Sequence, residues 1–371
     1  MHIGILAADL THRHGWAHYS TSVIGALHQA GVRLTVLTTH DSPIPPALNG
    51  VPIYPILPTV DPLAGRMLPR LAALTPRAAG LLRSCDVIHT HVEPFAPLGG
   101  WASGRKPHII TGHGSYVRLD QAYSRAARPC YRWAFRRAAV ACVSAYTAHA
   151  AAAALPGVRT QVIPNGVDAA RFSPLPAAAK TGGTILTVGA VKPRKGTFEL
   201  VQAFAQVRIA HPNAKLIVVG SLEIDPAYAT RVRAEIERLH VADGVRLAGR
   251  IPEDMLRQEY AAADVFAFPS LADGWKFEGF GLAALEASAA GLPVAAFGGS
   301  GVEDAVIDSV TGRIVPPGAV SALAGALIDL LADKALRARL GEAGRAHAAA
   351  MTWEAAAAAL IRLYASAARA R

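Results

Sequence analysis

Short runs of apolar, largely β-branched residues recur along the chain, each followed by a longer Ala- and Leu-rich stretch whose apolar positions return at helical spacing. Continuous apolar runs, as opposed to alternating ones, mark strands buried on both faces, and their alternation with helices predicts an α/β fold of doubly wound parallel sheets. In the first half the expected strands are Ile3 to Ala7, Arg33 to Leu37, Ile53 to Ile56, Val87 to His89, His108 to Thr111, Val140 to Val143 and Gln161 to Ile163. A second series follows at Thr184 to Val188, Lys215 to Val219, Val245 to Ala248, Val265 to Phe268, Val294 to Ala296 and Gly312 to Val315. Between them Pro164-Asn165-Gly166-Val167-Asp168, then Phe172-Ser173-Pro174 and an Ala/Pro/Gly-rich stretch to Gly183, carry turn and linker chemistry. This places two Rossmann-like domains in tandem, residues 1–169 and 170–353, with a ligand cleft expected between them. After Met351-Thr352-Trp353-Glu354 an Ala-rich helix over residues 354–371 is long enough to leave the second domain and is expected to pack back on the first.

Composition narrows the class. With 371 residues, 52% hydrophobic and 17% charged, the chain is too long for one ordinary core and suits two. Cys85, Cys130 and Cys142 form no C-x-x-C pair and leave an odd thiol, which argues against a disulfide framework or a zinc site and fits a reducing cytoplasm. The chain runs directly into Ile3-Gly4-Ile5-Leu6 without the basic region and long apolar core of an export signal. Ala138 to Val158, free of Asp, Glu, Lys and Arg, holds Ser144, Tyr146, Thr147, His149 and Pro156 and divides into a strand and a helix, a poor membrane span.

The net charge of +10 is unevenly distributed: residues 1–169 hold 15 Lys and Arg against 7 Asp and Glu, the remainder 22 against 20. A basic front half attracts anionic lipid or an anionic acceptor. Arg125, Arg128, Arg132 and Arg136 have the spacing of one helix face, with Tyr131, Trp133 and Phe135 nearby, and are the candidates for contact with an anionic membrane surface on the inner face of the cell membrane. Nucleic-acid binding would rest on charge alone, with no stacking or helix-turn-helix signature. The first strand leads into Ala7-Ala8-Asp9-Leu10-Thr11, lacking the G-x-G-x-x-G turn of dinucleotide oxidoreductases.

The most specific chemistry lies in Glu278-Gly279-Phe280-Gly281-Leu282-Ala283-Ala284-Leu285-Glu286. A Gly-Phe-Gly turn followed by an apolar helical run puts one carboxylate before a helix N-terminus and the other on its second turn. The unpaired amides of Phe280, Gly281 and Leu282, reinforced by the helix dipole, attract a phosphate between them. Two acids flanking a diphosphate suit the hydroxyls of a hexose and a ribose, so the segment reads as a nucleotide-sugar site.

Around this segment stand weaker matches in a fixed order: His14-Gly15-Trp16, Asp86-Val87-Ile88-His89-Thr90-His91, Thr111-Gly112-His113-Gly114, Val143-Ser144, the Ile163 to Asp168 link, Val188-Gly189 with Arg194-Lys195-Gly196, Leu247-Ala248-Gly249, Ala263-Asp264-Val265, Phe268-Pro269-Ser270, Gly291-Leu292-Pro293-Val294 and Thr311-Gly312. Together they resemble the GT-B glycosyltransferases, in particular the large retaining group called family 4, over nearly the whole chain. The resemblance implies retaining transfer of a hexose-type sugar from a nucleotide diphosphate sugar to a hydroxyl acceptor, such as a lipid-linked or anionic glycan precursor, with no dissociable metal or other cofactor. The nearest approach to an Asp-x-Asp cluster is Glu223-Ile224-Asp225, which reads as a helix cap.

The resemblance carries roles to individual positions. Glu286 accepts from both ribose hydroxyls. Glu278 holds a donor-sugar hydroxyl. Lys195 and Arg194 neutralise the departing diphosphate. His113 supports the oxocarbenium-like state, Gly15 and Gly189 let backbone approach the donor, and Gly249, Arg250 and Ile251 line the base pocket. His14, His18, His89 and His91 are weaker candidates at first-domain strand ends, and Glu303 after Gly298-Gly299-Ser300-Gly301 carries no assigned chemistry. Relatives place an arginine directly after the glycine where this chain has Ala190, so Arg194 or Lys192 must replace that cation or turnover is slower. Two alternatives stay open: a nucleotide-sugar epimerase of the same fold, and a catalytically weak binding subunit.

Overall fold

The computed structural model describes residues 1–11, 15–60, 67–172, 180 and 182–369. His14 and the Ser173-Pro174 part of the expected linker lie outside them. The first sheet is parallel: β1 (His2–Leu6), β2 (Arg33–Thr39), β3 (Ile53–Leu57), β4 (Val87–Thr90), β5 (His108–Gly112), β6 (Ala139–Cys142) and β7 (Arg159–Val162), in the order β3-β2-β1-β4-β5-β6-β7. The second contains β8 (Thr184–Val188), β9 (Lys215–Val219), β10 (Val245–Gly249), β11 (Val265–Phe268), β12 (Val294–Phe297) and β13 (Gly312–Val315), in the order β10-β9-β8-β11-β12-β13. Every strand expected from the apolar runs forms, each boundary within two residues.

In each sheet the chain first builds to one side of its opening strand and then crosses to the other. The order therefore reverses between β1 and β4 and again between β8 and β11. At such a point the connections leave in opposite directions and open a crevice beyond the carboxyl ends of the strands, where ligands of open α/β sheets bind. Helices cover the sheets as the spacing predicts: Thr197–Ala210 and Val320–Ala332 pack together beside β8 and β11, burying Leu200, Phe204, Leu323 and Leu327.

The chain divides into one compact unit of Met1–Gly166 with Trp353–Arg371, and another of Val167–Thr352. The division falls after Gly166, not residue 169, because the Val167 amide bonds to Met351 O and ties the link into the second unit. Trp353 joins the first unit, its ring 6.0 Å from Tyr19 and 5.7 Å from His18. The helix Trp353–Arg369 lies against the helix Gly15–Gln29, and Tyr364 OH is hydrogen-bonded to Nδ1 of the wholly buried His89 at 2.7 Å.

The four-arginine face does not form. The helix begins at Arg128, so Arg125 precedes it; Arg128 Nε donates to Tyr123 O and Arg132 is engaged by Asp120. Tyr131 and Phe135 face the core, while Trp133 is exposed beneath Arg137. No helix among the described residues is long and apolar enough to cross a membrane. His89 and His91, the weaker candidates at strand ends, are wholly buried and hydrogen-bonded to Tyr364, Thr111 and Ser20. Asp225 caps the helix Pro226–Arg238 by accepting from the Tyr228 amide, as its position in the sequence indicates.

Tyr364→Phe leaves a ring nitrogen of buried His89 unpaired and is expected to cost about 1–3 kcal/mol. Urea unfolding of the variant with an unchanged midpoint would show that this bond does not hold the last helix.

Candidate functional site

The second unit gathers its charged groups at the switch point between β8 and β11. Lys195 and Arg194 lie in the short 3₁₀ turn Pro193–Lys195 after β8, and Glu278 lies in the loop after β11. Backbone joins the two loops. Leu271 N donates to Arg194 O at 2.9 Å, and Gly196, at φ +63°, comes so near Pro269 that a Cβ would lie 1.9 Å from its carbonyl oxygen. Only glycine fits there.

This clamp delivers two cations to one oxygen: Glu278 Oε2 accepts from Lys195 Nζ at 2.6 Å, Arg194 NH1 at 2.9 Å and Ser270 Oγ at 3.2 Å. The three charged side chains are only 13–20% exposed. Burial works to raise the Glu278 pKa, but Lys195 and Arg194 outweigh it and hold the carboxyl down at about 2. The cations are not balanced in return. Burial and the charge of Arg194 push Lys195 down despite Glu278, and burial, Arg194 and Lys195 push Lys192 down as well. Lys192, Arg194 and Lys195 thus crowd one carboxylate, and the cluster carries surplus positive charge. Lys195 Nζ also lies over the Phe268 ring at 5.2 Å, and the positions expected of an ideal Cβ on Gly189 touch the Lys195 stem at 3.5–3.7 Å.

Directly after Glu278 the helix Leu282–Ala289 begins. Gly281 is its N-cap at φ +94°, a left-handed conformation that glycine adopts without strain, and no side chain caps the first turn. Phe280 is buried, so the turn is pinned while its amides lie at the dipole's positive end. Glu286 stands on the second turn, as expected. Its Oε2 accepts from Tyr260 OH at 3.2 Å, and burial drives its pKa up to about 7 against the opposing pull of Arg171. Arg171 is in turn paired with Glu253, its Nε donating to Oε1 and its NH2 to Oε2. Gly249 ends β10 at the register shift from Leu247, and Arg250 and Ile251 follow it at the same end of the sheet. Glu303 Oε1 accepts from the Gly299 amide and closes its own loop.

In the first unit, Gly15 opens the helix after β1, where a Cβ would meet nothing within 4 Å; packing alone does not call for glycine there. His113 follows β5. Its Nε2 donates to His91 O at 2.6 Å, its amide donates to Glu93 Oε1 at 2.7 Å, and its ring meets Tyr19 edge-on at 4.6 Å.

Two sequence families meet end to end on the chain: Glycosyltransferase Family 4 over residues 14–171 and Glycosyl transferases group 1 over residues 172–347. The chain is also 33% identical over 280 residues to the GDP-mannose-dependent alpha-(1-6)-phosphatidylinositol monomannoside mannosyltransferase of Mycolicibacterium smegmatis, covering 70% of each protein. The chain belongs to glycosyltransferase family 4. A D-inositol 3-phosphate glycosyltransferase of Segniliparus rotundus is 36% identical over 219 residues, 57% of this chain and 48% of that one, so the chain spans about half the length of that relative. Sucrose-phosphate synthase of Thermosynechococcus elongatus superposes along the full length of both chains with a TM-score of 0.82 at 25% identity. Anabaena HepE, solved with UDP and glucose, gives 0.78 at 22% identity over 99% of this chain and 100% of that one, a likeness of fold. The family 4 chain is thus a GT-B protein with two parallel-sheet units.

Three neighbours of the candidate residues, two in the second unit and one in the first, escaped the sequence. Tyr260 lies in a helix with no local motif and reaches Glu286 only through packing. Arg171 comes three residues after the Asn165 to Asp168 link, within reach of that motif. Glu93, an acid inside the apolar run from Val92 to Leu98, is the clearest missed signal.

The raised Glu286 pKa has a stability consequence. A carboxyl whose folded pKa exceeds its unfolded value stabilises fully below about 4.5, and that contribution is lost as pH rises through about 7. Glu286→Gln is expected to raise the melting temperature at pH 8 by a few degrees while leaving it nearly unchanged at pH 4.5. Equal shifts at the two pH values would contradict the burial of an ionising carboxyl here.

Proposed function

We propose that this protein transfers a hexosyl group from a nucleotide diphosphate sugar to a hydroxyl acceptor, with retention of anomeric configuration and without a dissociable metal. The observation that carries this is the Glu278 carboxylate shared by Lys195 and Arg194 beside the uncapped helix at Gly281. A diphosphate would compete with Glu278 for the two cations and bond to the helix amides. Released from them, Glu278 would accept from a sugar hydroxyl, and Glu286 from the two ribose hydroxyls. Arg194 then supplies the cation that Ala190 does not. Gly249, Arg250 and Ile251 would meet the base through their backbone, and Gly15, Gly189 and His113 would serve the diphosphate and the reacting sugar as the family pattern implies.

In the transfer, the bond from the anomeric carbon to the phosphate oxygen breaks and the bond to the acceptor oxygen forms on the same face. The acceptor proton passes to the leaving phosphate. Charge gathering on the diphosphate is met by Lys195, Arg194 and the amides, whose pre-set positions need no reorganisation at the transition state. This division of labour supports metal independence, since the protein supplies the countercharge itself. The relatives' names favour GDP-mannose as donor and an inositol-bearing acceptor with a phosphate, and the cationic excess of residues 1–169 suits the latter. The same relatives, all transferases by name, favour this over an epimerase.

GDP-mannose is expected to raise the melting temperature more than UDP-, ADP- or TDP-sugars do, and EDTA to leave transfer unchanged. Glu286→Ala and Lys195→Ala each should lower kcat/KM by roughly a hundredfold, the order expected for losing a charge-assisted contact or a leaving-group cation. Full transfer by Glu286→Ala would end the assignment.

A further inference from the structure

Glu93 is wholly buried in the 3₁₀ turn Glu93–Phe95 just after β4, and the transfer chemistry above does not use it. Oε1 accepts the His113 amide at 2.7 Å, while Oε2 has no hydrogen-bond partner among the described residues. A fully buried carboxyl with half its bonding capacity unmet costs free energy that an apolar side chain in the same space would not. The sheet gains nothing from it, since β4 and β5 are already laddered through their own backbones.

What Glu93 does hold is the Gly112-His113-Gly114 loop. Gly114 stands at φ +151°, and the His113 ring is fixed separately by His91 O and the edge of Tyr19. Burial raises the Glu93 pKa to about 8 against the opposing pull of backbone amides of Glu93, His113 and Gly114, and the side chain presents Oε1 to that loop. A glutamine would present the same oxygen. An aspartate would end one methylene short of it.

We propose that Glu93 is a positioning residue for His113: it grips the loop by the backbone so that the imidazole keeps the orientation its role in transfer requires. The inference rests on the proposed role of His113 and is separable from it by experiment. With GDP-mannose as donor and phosphatidylinositol or inositol 3-phosphate as acceptor, Glu93→Gln should keep kcat within about threefold of the parent, whereas Glu93→Asp should lose roughly ten- to a hundredfold and Glu93→Ala as much as His113→Ala, because a displacement of about 1 Å costs up to about a hundredfold. Donor KM should stay unchanged in the Glu93 variants. Glu93→Ala added to His113→Ala should cost nothing further, since two residues acting as one unit are not additive.

Wild-type kcat in Glu93→Asp, a loss in Glu93→Gln equal to that in Glu93→Asp, or additive losses in the double variant would each overturn the proposal. Full transfer by His113→Ala would instead overturn the role of His113 itself. Should Glu93→Ala fail to fold, the Asp and Gln variants carry the comparison. Hydrogen exchange of the peptide containing residues 112–114 gives a reading that needs no donor: faster exchange in Glu93→Asp but not in Glu93→Gln is expected, and unchanged exchange in both would count against the grip.

Discussion

One carboxylate oxygen shared by a lysine, an arginine and a serine is the interaction on which the second unit's site depends. Glu278 cannot satisfy both cations. In a medium of low dielectric the leftover positive charge is costly; burial first, and the neighbouring cations after it, push the pKa values of Lys195 and Lys192 down. An anion with more charge than one carboxylate would relieve it, and the proposed diphosphate would do so while also meeting the amides at Gly281. The backbone clamp of Gly196 on Pro269 keeps the imbalance in place, because the loops carrying the opposite charges cannot drift apart without breaking it.

The position of this cluster follows from topology more than from any local preference. Where β8 and β11 diverge, their outgoing loops leave a space that the sheet itself does not fill, and those are the loops that carry Lys195 and Glu278. The first unit repeats the rule at β1 and β4: Glu93 follows β4, and its hydrogen bond reaches the loop after β5. Both sheets thus raise their polar groups on rigid strand ends, while helices bury the remainder.

The sheets were legible in the sequence because a strand buried on both faces has to be apolar nearly throughout, a signal that needs no tertiary context. The glutamate pair was legible for a related reason: its acids, turn glycines and helix are contiguous. What connects Glu286 to Tyr260 and Arg171, or Glu93 to His113, is contact between residues 20 or more apart in the chain, for which the sequence offers no periodicity. The arginine stripe failed in the opposite way. Its spacing was right from Arg128 onward, but the helix starts only there, and Asp120 and Tyr123 O engage the side chains that a free face would have presented.

Folding alone would not select these groups. Glu286 is held close to neutral by burial, the cations beside Glu278 are crowded, and Glu93 buries an acceptor it does not use. Each would be cheaper as a packed apolar residue. Their presence is coherent if the unmet capacity is directed at something outside the fold: hydroxyls for Glu286, phosphate oxygens for the cations, and the set of a catalytic imidazole for Glu93. Local instability of this kind is tolerable because the sheets around it are continuous apolar cores, and it is where a binding site must store its capacity to gain from a ligand.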